Sequence, residues 1–314
     1  MKTHYDLIFS TPTYHSVKER LAKFYLPTLK YLDCDVLSVI ITQCKEDTEA
    51  VIPLVNETKG TDIVLFEFNS NFMIQAIDWT PLWAIKHGLS AKYYTFMPDN
   101  NEFLEGISST TIDLLDLAFD KTNFCIATFC DGIHSYVGWG KDGAIDGHIE
   151  VNPTWIDNPH FIPWKDVFSF GLWDGPTDYP CPLFVDMEYV HRAKILSGRP
   201  VVVDTTFAFT GQYQYIHHHA NDNVTALRSA NAVDRINYGV MFWITKYGLN
   251  QELVWINPHM HFAEIYEAIQ HPPYSERMKR HIIFNNIWDD YDAIYNLLRP
   301  HFKLITSNCG VERE

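Results

Sequence analysis

No apolar run in this 314-residue sequence reaches the roughly 18 residues that cross a bilayer as a helix. The opening, MKTHYDLIFSTPTYH, lacks the basic segment and following apolar stretch of a secretory leader. A cytoplasmic location is therefore expected. The six cysteines, Cys34, Cys44, Cys125, Cys130, Cys181 and Cys309, include no CxxC pair, so neither a zinc ribbon nor a dense disulfide framework is suggested. Cationic residues are short as well: 24 Lys and Arg face 39 Asp and Glu, a formal charge of −15. Such a surface repels phosphate backbones and argues against broad nucleic-acid binding, while a nucleotide met through a metal ion stays compatible. Internal repeats, low-complexity tracts and an obvious flexible linker are also missing.

What is present is enough apolar material, 46% of residues, to bury a sizeable core. Over the first 130 residues, short apolar runs alternate with stretches of helical period. Runs at Tyr5 to Ser10, Val36 to Ile41, Ile63 to Glu67 and Tyr93 to Met97 are separated by helical stretches at Val17 to Leu32, Glu46 to Thr58 and Met73 to His87. Strand and helix in this alternation predict βαβ units, a mainly parallel sheet and an α/β class. From about Phe124 to Gly175 the texture changes to short β-like pieces broken by Gly, Pro, Asn and Trp. A helix is predicted from Asp186 to Ser197, stopped by Gly198 and Pro200, then a β-branched run at Val201 to Thr206. Beyond Asn223 the period is mostly helical, including Asp289 to Leu298.

In such sheets the ligand lies beyond the carboxyl ends of the strands, which draws attention to AKYYTFMPDNNEF. There an apolar strand delivers Asp99, Asn100, Asn101 and Glu102 into a turn, and hard divalent cations take such oxygen ligands. A turn capped by Asp and Asn reads the same way. In LFVDMEYVHRAKILSGRP, Asp186 and Glu188 open a helix on which Arg192 follows, suiting either a cleft-facing carboxylate or a plain helix start with a Glu188–Arg192 pair at i,i+4. The run His217, His218, His219 follows a strand-like segment, where period two puts His217 and His219 on one face and His218 on the other. Trp139, Trp155, Trp164 and Trp173 crowd the irregular middle segment, as a platform for sugar rings or as core.

In order and spacing these features resemble the GT-A fold glycosyltransferases, particularly the inverting family 2. The resemblance rests on Thr11-Pro12-Thr13-Tyr14 after the first strand, Asp99 to Asn101 after the fourth, Asp186 with Arg192, and the distal histidines. It implies a Rossmann-like, nucleotide-sugar-binding fold over residues 1–222 and a mainly helical C-terminal extension over 223–314. It further implies that Thr11, Pro12, Thr13 and Tyr14 border the nucleotide pocket with Asn100 and Arg192, and that Trp173 and Asp174 meet the sugar. Asp99 and Asn101, with His217 or His219, would hold a divalent metal, Mn2+ or Mg2+. Asp186 would be the general base. The implied activity is transfer of a hexosyl or pentosyl group from a nucleotide sugar, a UDP-sugar first, to a hydroxyl of a glycan, a glycoconjugate or a modified nucleic acid.

Two other functions fit parts of the same text. A metal-dependent hydrolase would draw on the 15 histidines and many acids, but the HExxH and closely spaced HD signatures expected of such sites are missing. A non-catalytic carbohydrate-binding protein on the same fold would explain a metal motif that ends in Asn rather than a carboxylate.

Overall fold

Four parallel strands carry the fold in this computed structural model. The structure describes residues 2–15, 17–69, 73–106, 112–113, 115–116, 119, 125–129, 144–145, 149–151, 159–173, 185–199, 201–204, 215–217, 276 and 290–311. Strand β1 (His4–Thr13) is followed by a helical run, α1, of π-type turns at Val17–Tyr25 continuing through Leu26–Thr28 and Leu29–Leu32. Then come β2 (Val36–Thr42), α2 (Lys45–Glu57), β3 (Asp62–Phe68), α3 (Met73–Lys86) and β4 (Ser90–Phe96). Each element lies where the hydrophobic period places it, with ends shifted by a few residues.

With β9 at Ile162–Pro163 and β12 at Phe302–Ser307, the main sheet has the order β12-β3-β2-β1-β4-β9. The pairs β1 with β2, β2 with β3 and β1 with β4 are parallel. Short β9 (Ile162–Pro163) and β12 (Phe302–Ser307) close the two edges antiparallel. The sheet is apolar on both faces because both are covered, so its strands read as continuous apolar runs. On β3, Ile63 and Leu65 pack with Val17, Leu21, Val51 and Val55 of α1 and α2. Val64, Phe66 and Phe68 face the other way onto Ile77, Trp79 and Trp83 of α3.

The order of the strands matters for function. The chain winds from β1 to β2 to β3 in one direction, then returns to lay β4 on the opposite side of β1. At such a reversal, the crevice in which open α/β sheets bind their ligands lies at the carboxyl ends of the two strands, here β1 and β4.

A second sheet among the described residues has the order β6-β10-β8-β7, built from β6 (Ile126–Phe129), β7 (Ala144–Ile145), β8 (Ile149–Val151) and β10 (Val201–Asp204). A two-stranded piece pairs β5 (Asn101–Phe103) with β11 (Tyr215–His217). Helix α4 (Trp164–Val167) is short, and α5 (Val185–Ser197) is the helix predicted from Asp186. Gly198, with φ +63°, ends it and donates its N–H to Lys194 O at 2.9 Å, the left-handed stop expected of glycine.

The expected boundary at 222 lies outside the described residues. Residues 290–311 form α6 (Tyr291–Leu298), whose N-cap Asp290 accepts the Ala293 N–H, and the edge strand β12. Their attachment is aromatic: Phe302 stacks on Phe68 at 4.3 Å and on Trp79 at 4.5 Å, and Tyr295 stacks on Trp79 at 5.2 Å. Asn308 then clips the strand end to the start of β3. Its Oδ1 accepts the Ile63 N–H at 2.7 Å, and its Nδ2 donates to Thr58 O at 3.1 Å and Thr61 O at 3.0 Å. Asn308→Ala is expected to cost about 1–3 kcal/mol, read as a lower urea midpoint at unchanged slope. An unchanged midpoint would remove Asn308 from the account of how this strand is held.

Candidate functional site

Asp99 lies buried at the carboxyl ends of β1 and β4. Thr13, the last residue of β1, donates its hydroxyl to Asp99 Oδ2 at 2.7 Å, and Arg20 of α1 places Nη1 3.8 Å from Oδ1. Both members of this ion pair are buried. Asp99 is therefore a carboxylate held inside the protein, tied to two strand ends and facing a cation. Charge-assisted contacts of this kind are the strong ones, and they fix where the carboxylate points. Asn100 and Asn101 are buried beside it. Asn101 opens β5, donates Nδ2 to Met97 Sδ at 3.0 Å, and stands in register opposite His217 of β11. The sequence gives no local hint that residues 101 and 217 are neighbours; the pairing of two three-residue strands brings their backbones together.

The other predicted residues fall in several places. Thr11 is buried and donates its hydroxyl to Tyr25 Oη at 3.0 Å, in a chain that continues to Ser38 at 2.9 Å. Burial raises the Tyr25 hydroxyl above its ordinary pKa. Thr11 thus anchors α1 beneath the crevice. Pro12 is half-buried on β1, and Tyr14 is half-buried with its ring 4.1 Å from that of His15. Asp186 lies in the first turn of α5, which begins at Val185, so it is the second helical residue. Asp174 and His219 lie outside the described residues, as do Trp139 and Trp155.

Arg192 and Trp173 sit deep in the structure. Arg192 donates Nε to Glu188 Oε1 at 3.0 Å and Nη2 to Oε2 at 3.1 Å, the i,i+4 pair the sequence allows. It also donates to the carbonyls of Phe170 and, at 2.8 Å, Leu172. Trp173 stacks on Tyr189 at 5.2 Å, meets Phe96 edge-on, and donates its backbone N–H to Asp78 at 2.7 Å. Together these contacts bolt α5 to the Phe170–Trp173 segment and to α3.

Sequence reasoning missed a second group, at the end of β2. His15, two residues past β1, takes φ +52° and donates its backbone N–H to Asp47 Oδ2. Cys44 is the residue before α2, with Sγ 3.7 Å from His15 Nδ1. Burial, joined by the Asp47 carboxylate and opposed by the backbone N–H groups of Asp47 and His15, pushes the Cys44 thiol up to about 11. The signal was present in Gln43-Cys44-Lys45-Glu46-Asp47, a strand end followed by an acidic first turn. Arg20 was missed for a different reason: as one charge on an amphipathic stretch it looks like solvated surface.

No family model matches the sequence, and neither does any curated protein. Among solved structures, the chain is similar to S. aureus TarS, with a TM-score of 0.47 and 10% identity over 93% of this chain and 55% of the other. It is similar to GalNAc-T7 with UDP, GalNAc and Mn2+, at TM-score 0.44 and 11% identity over 95% of this chain and 58% of that one. A third is the Pyrobaculum calidifontis mannosyltransferase PcManGT in complex with GDP-Man and Mn2+, at TM-score 0.41 and 11% identity over 91% and 88%. The chain spans little more than half the length of the first two. Among the described residues, no helix is long and apolar enough to cross a membrane.

Proposed function

We propose that this chain is a metal-assisted glycosyltransferase that moves a sugar from a nucleoside-diphosphate sugar to an acceptor hydroxyl. The observation that carries the reading is the Thr13–Asp99 contact of 2.7 Å, which sets a buried carboxylate where the strand order reverses. A nucleotide would lie over the ends of β1 and β2, along Thr11 to Tyr14, with its diphosphate toward Asp99. The donor set suits a hard cation. Asp99 and Asn101 offer oxygen ligands, and His217 of β11 stands at the register position opposite Asn101. When bound, Mn2+ or Mg2+ would neutralise charge on the departing diphosphate. Asp186 is the base that takes the proton of the acceptor hydroxyl, and with a single such carboxylate the attack is in line, with inversion. Residues 1–222 would hold this machinery, and 223–314 would extend it. The strongly acidic surface favours a glycan or glycoconjugate acceptor over a nucleic acid.

The test is a panel of sugar nucleotides screened by thermal shift with manganese and again with chelator. A donor that raises the melting temperature only with metal supports the reading, while a panel with no response rejects it. Asp99→Asn is the matching variant. Asparagine keeps the size of aspartate and can still accept from Thr13, whereas alanine would lose that acceptor in addition to the Arg20 counter-charge that both substitutions remove, so the melting temperature of the variant is measured alongside. Donor affinity with manganese is expected to fall about ten- to a hundredfold by calorimetry, and an unchanged affinity would reject Asp99 as a ligand.

A further inference from the structure

The His15, Cys44 and Asp47 cluster adjoins the strand ends where the reading above lays the nucleotide, but none of its three side chains has a role in that reading. Its three ligand atoms lie within 4.8 Å of one another, on the loops that leave β1 and β2. An imidazole nitrogen, a thiol sulfur and a carboxylate oxygen form a mixed set quite unlike the oxygen-rich surroundings of Asp99. Hard cations such as magnesium and calcium avoid sulfur, and borderline ones such as zinc accept all three donors.

The geometry is close to what zinc requires. With zinc–sulfur and zinc–nitrogen bonds at their usual lengths, a tetrahedral site separates S and N by about 3.6 Å. The His15 Nδ1 to Cys44 Sγ distance is 3.7 Å. The third corner is braced from outside: the His15 backbone N–H is bonded to Asp47 Oδ2, so the loop bearing the imidazole and the helix turn bearing the carboxylate are already locked together. Hydrogen bonding of a ligating carboxylate by a neighbouring N–H is the usual support of such sites. Backbone strain points the same way. His15 holds φ +52°, a left-handed conformation that costs a non-glycine residue energy, and that turn brings its ring over Cys44.

We infer that His15, Cys44 and Asp47 form a site for a borderline divalent cation of the zinc class, separate from the Asp99 centre. Binding forms a metal–sulfur bond and releases the Cys44 thiol proton to solvent, with no change of oxidation state. Three protein ligands leave the fourth tetrahedral position open, and because His15 is exposed that position faces solvent.

Cobalt(II) reports directly on such a site, because a thiolate ligand gives a charge-transfer band in the near ultraviolet. Titration of the reduced full chain with cobalt is expected to produce that band at one equivalent, and zinc is expected to abolish it. Cys44→Ser should remove the band and weaken zinc binding at least tenfold in a competition assay with a chromophoric chelator. Serine is a better N-cap than cysteine, so loss of the band in a variant whose melting temperature is maintained cannot be assigned to misfolding. His15→Asn, which tolerates the left-handed conformation, should weaken zinc similarly. Asp99→Asn should keep the band, which separates this site from the proposed catalytic metal. Failure of cobalt to give the band, or its persistence in Cys44→Ser, would overturn the inference.

Discussion

Asp186→Asn is expected to lower sugar transfer by about a hundred- to ten-thousand-fold while donor binding survives, because asparagine matches aspartate in size but cannot take a proton. The backbone sharpens this comparison. Since α5 begins at Val185, Asp186 is inside the first turn, where a merely structural carboxylate would act on the helix dipole. Losing that charge costs about 0.3–1 kcal/mol of stability and leaves turnover alone. The two roles therefore predict effects differing by orders of magnitude in the same assay. Equal rates for the two proteins, at saturating donor with a verified acceptor, would sink Asp186 as the base.

The largest expected loss of stability belongs to Arg192→Met. Glu188 and Arg192 share a doubly bonded ion pair with side chains 3% and 1% exposed, so removing one partner leaves the other charge buried without it. Breaking such a pair typically costs about 3–5 kcal/mol. The loss of bonds to the carbonyls of Phe170 and Leu172 adds to that. Replacing both partners, with Glu188→Leu beside Arg192→Met, should recover much of the loss, since a buried pair exchanged for apolar groups is often neutral. Urea unfolding of the two variants checks both statements. Should Arg192 instead serve the donor, the single variant would unfold at the wild-type midpoint and lose sugar-nucleotide affinity.

The α/β class and the parallel sheet were legible because both faces of the sheet are covered and each strand became a run of apolar residues bounded by helical period. Asp99 was legible for a related reason, since a polar cluster directly after such a run has one place to go. Thr13 could be placed beside the crevice but not against Asp99, because strand order is a tertiary property that no window of sequence contains. Residue 217 shows the limit most clearly. Its register opposite Asn101 depends on two three-residue strands separated by more than a hundred positions, too short to carry a period. The strand at Phe302–Ser307 escaped notice because the helical text before it, Tyr291–Leu298, dominates that window. His15 and Cys44 escaped because each is one ordinary residue until a left-handed turn sets them together.

Closure of the β3 edge by β12 has a temporal side. Asn308 and Ile63 are 245 residues apart, and a ribosome adding about 5–20 residues per second takes roughly 10–50 s to cross that gap. A nascent chain in which β3 has already paired with β2 would, through that interval, present its outer row of N–H and C=O groups bare, flanked by Phe66, Phe68 and Trp79, whose native partners include Phe302 and Tyr295. A bare edge beside apolar side chains is a template for pairing with another copy. The residues that end this exposure, 302–308, are thus made long after the edge they cover, which ties the protection of β3 to the timing of synthesis.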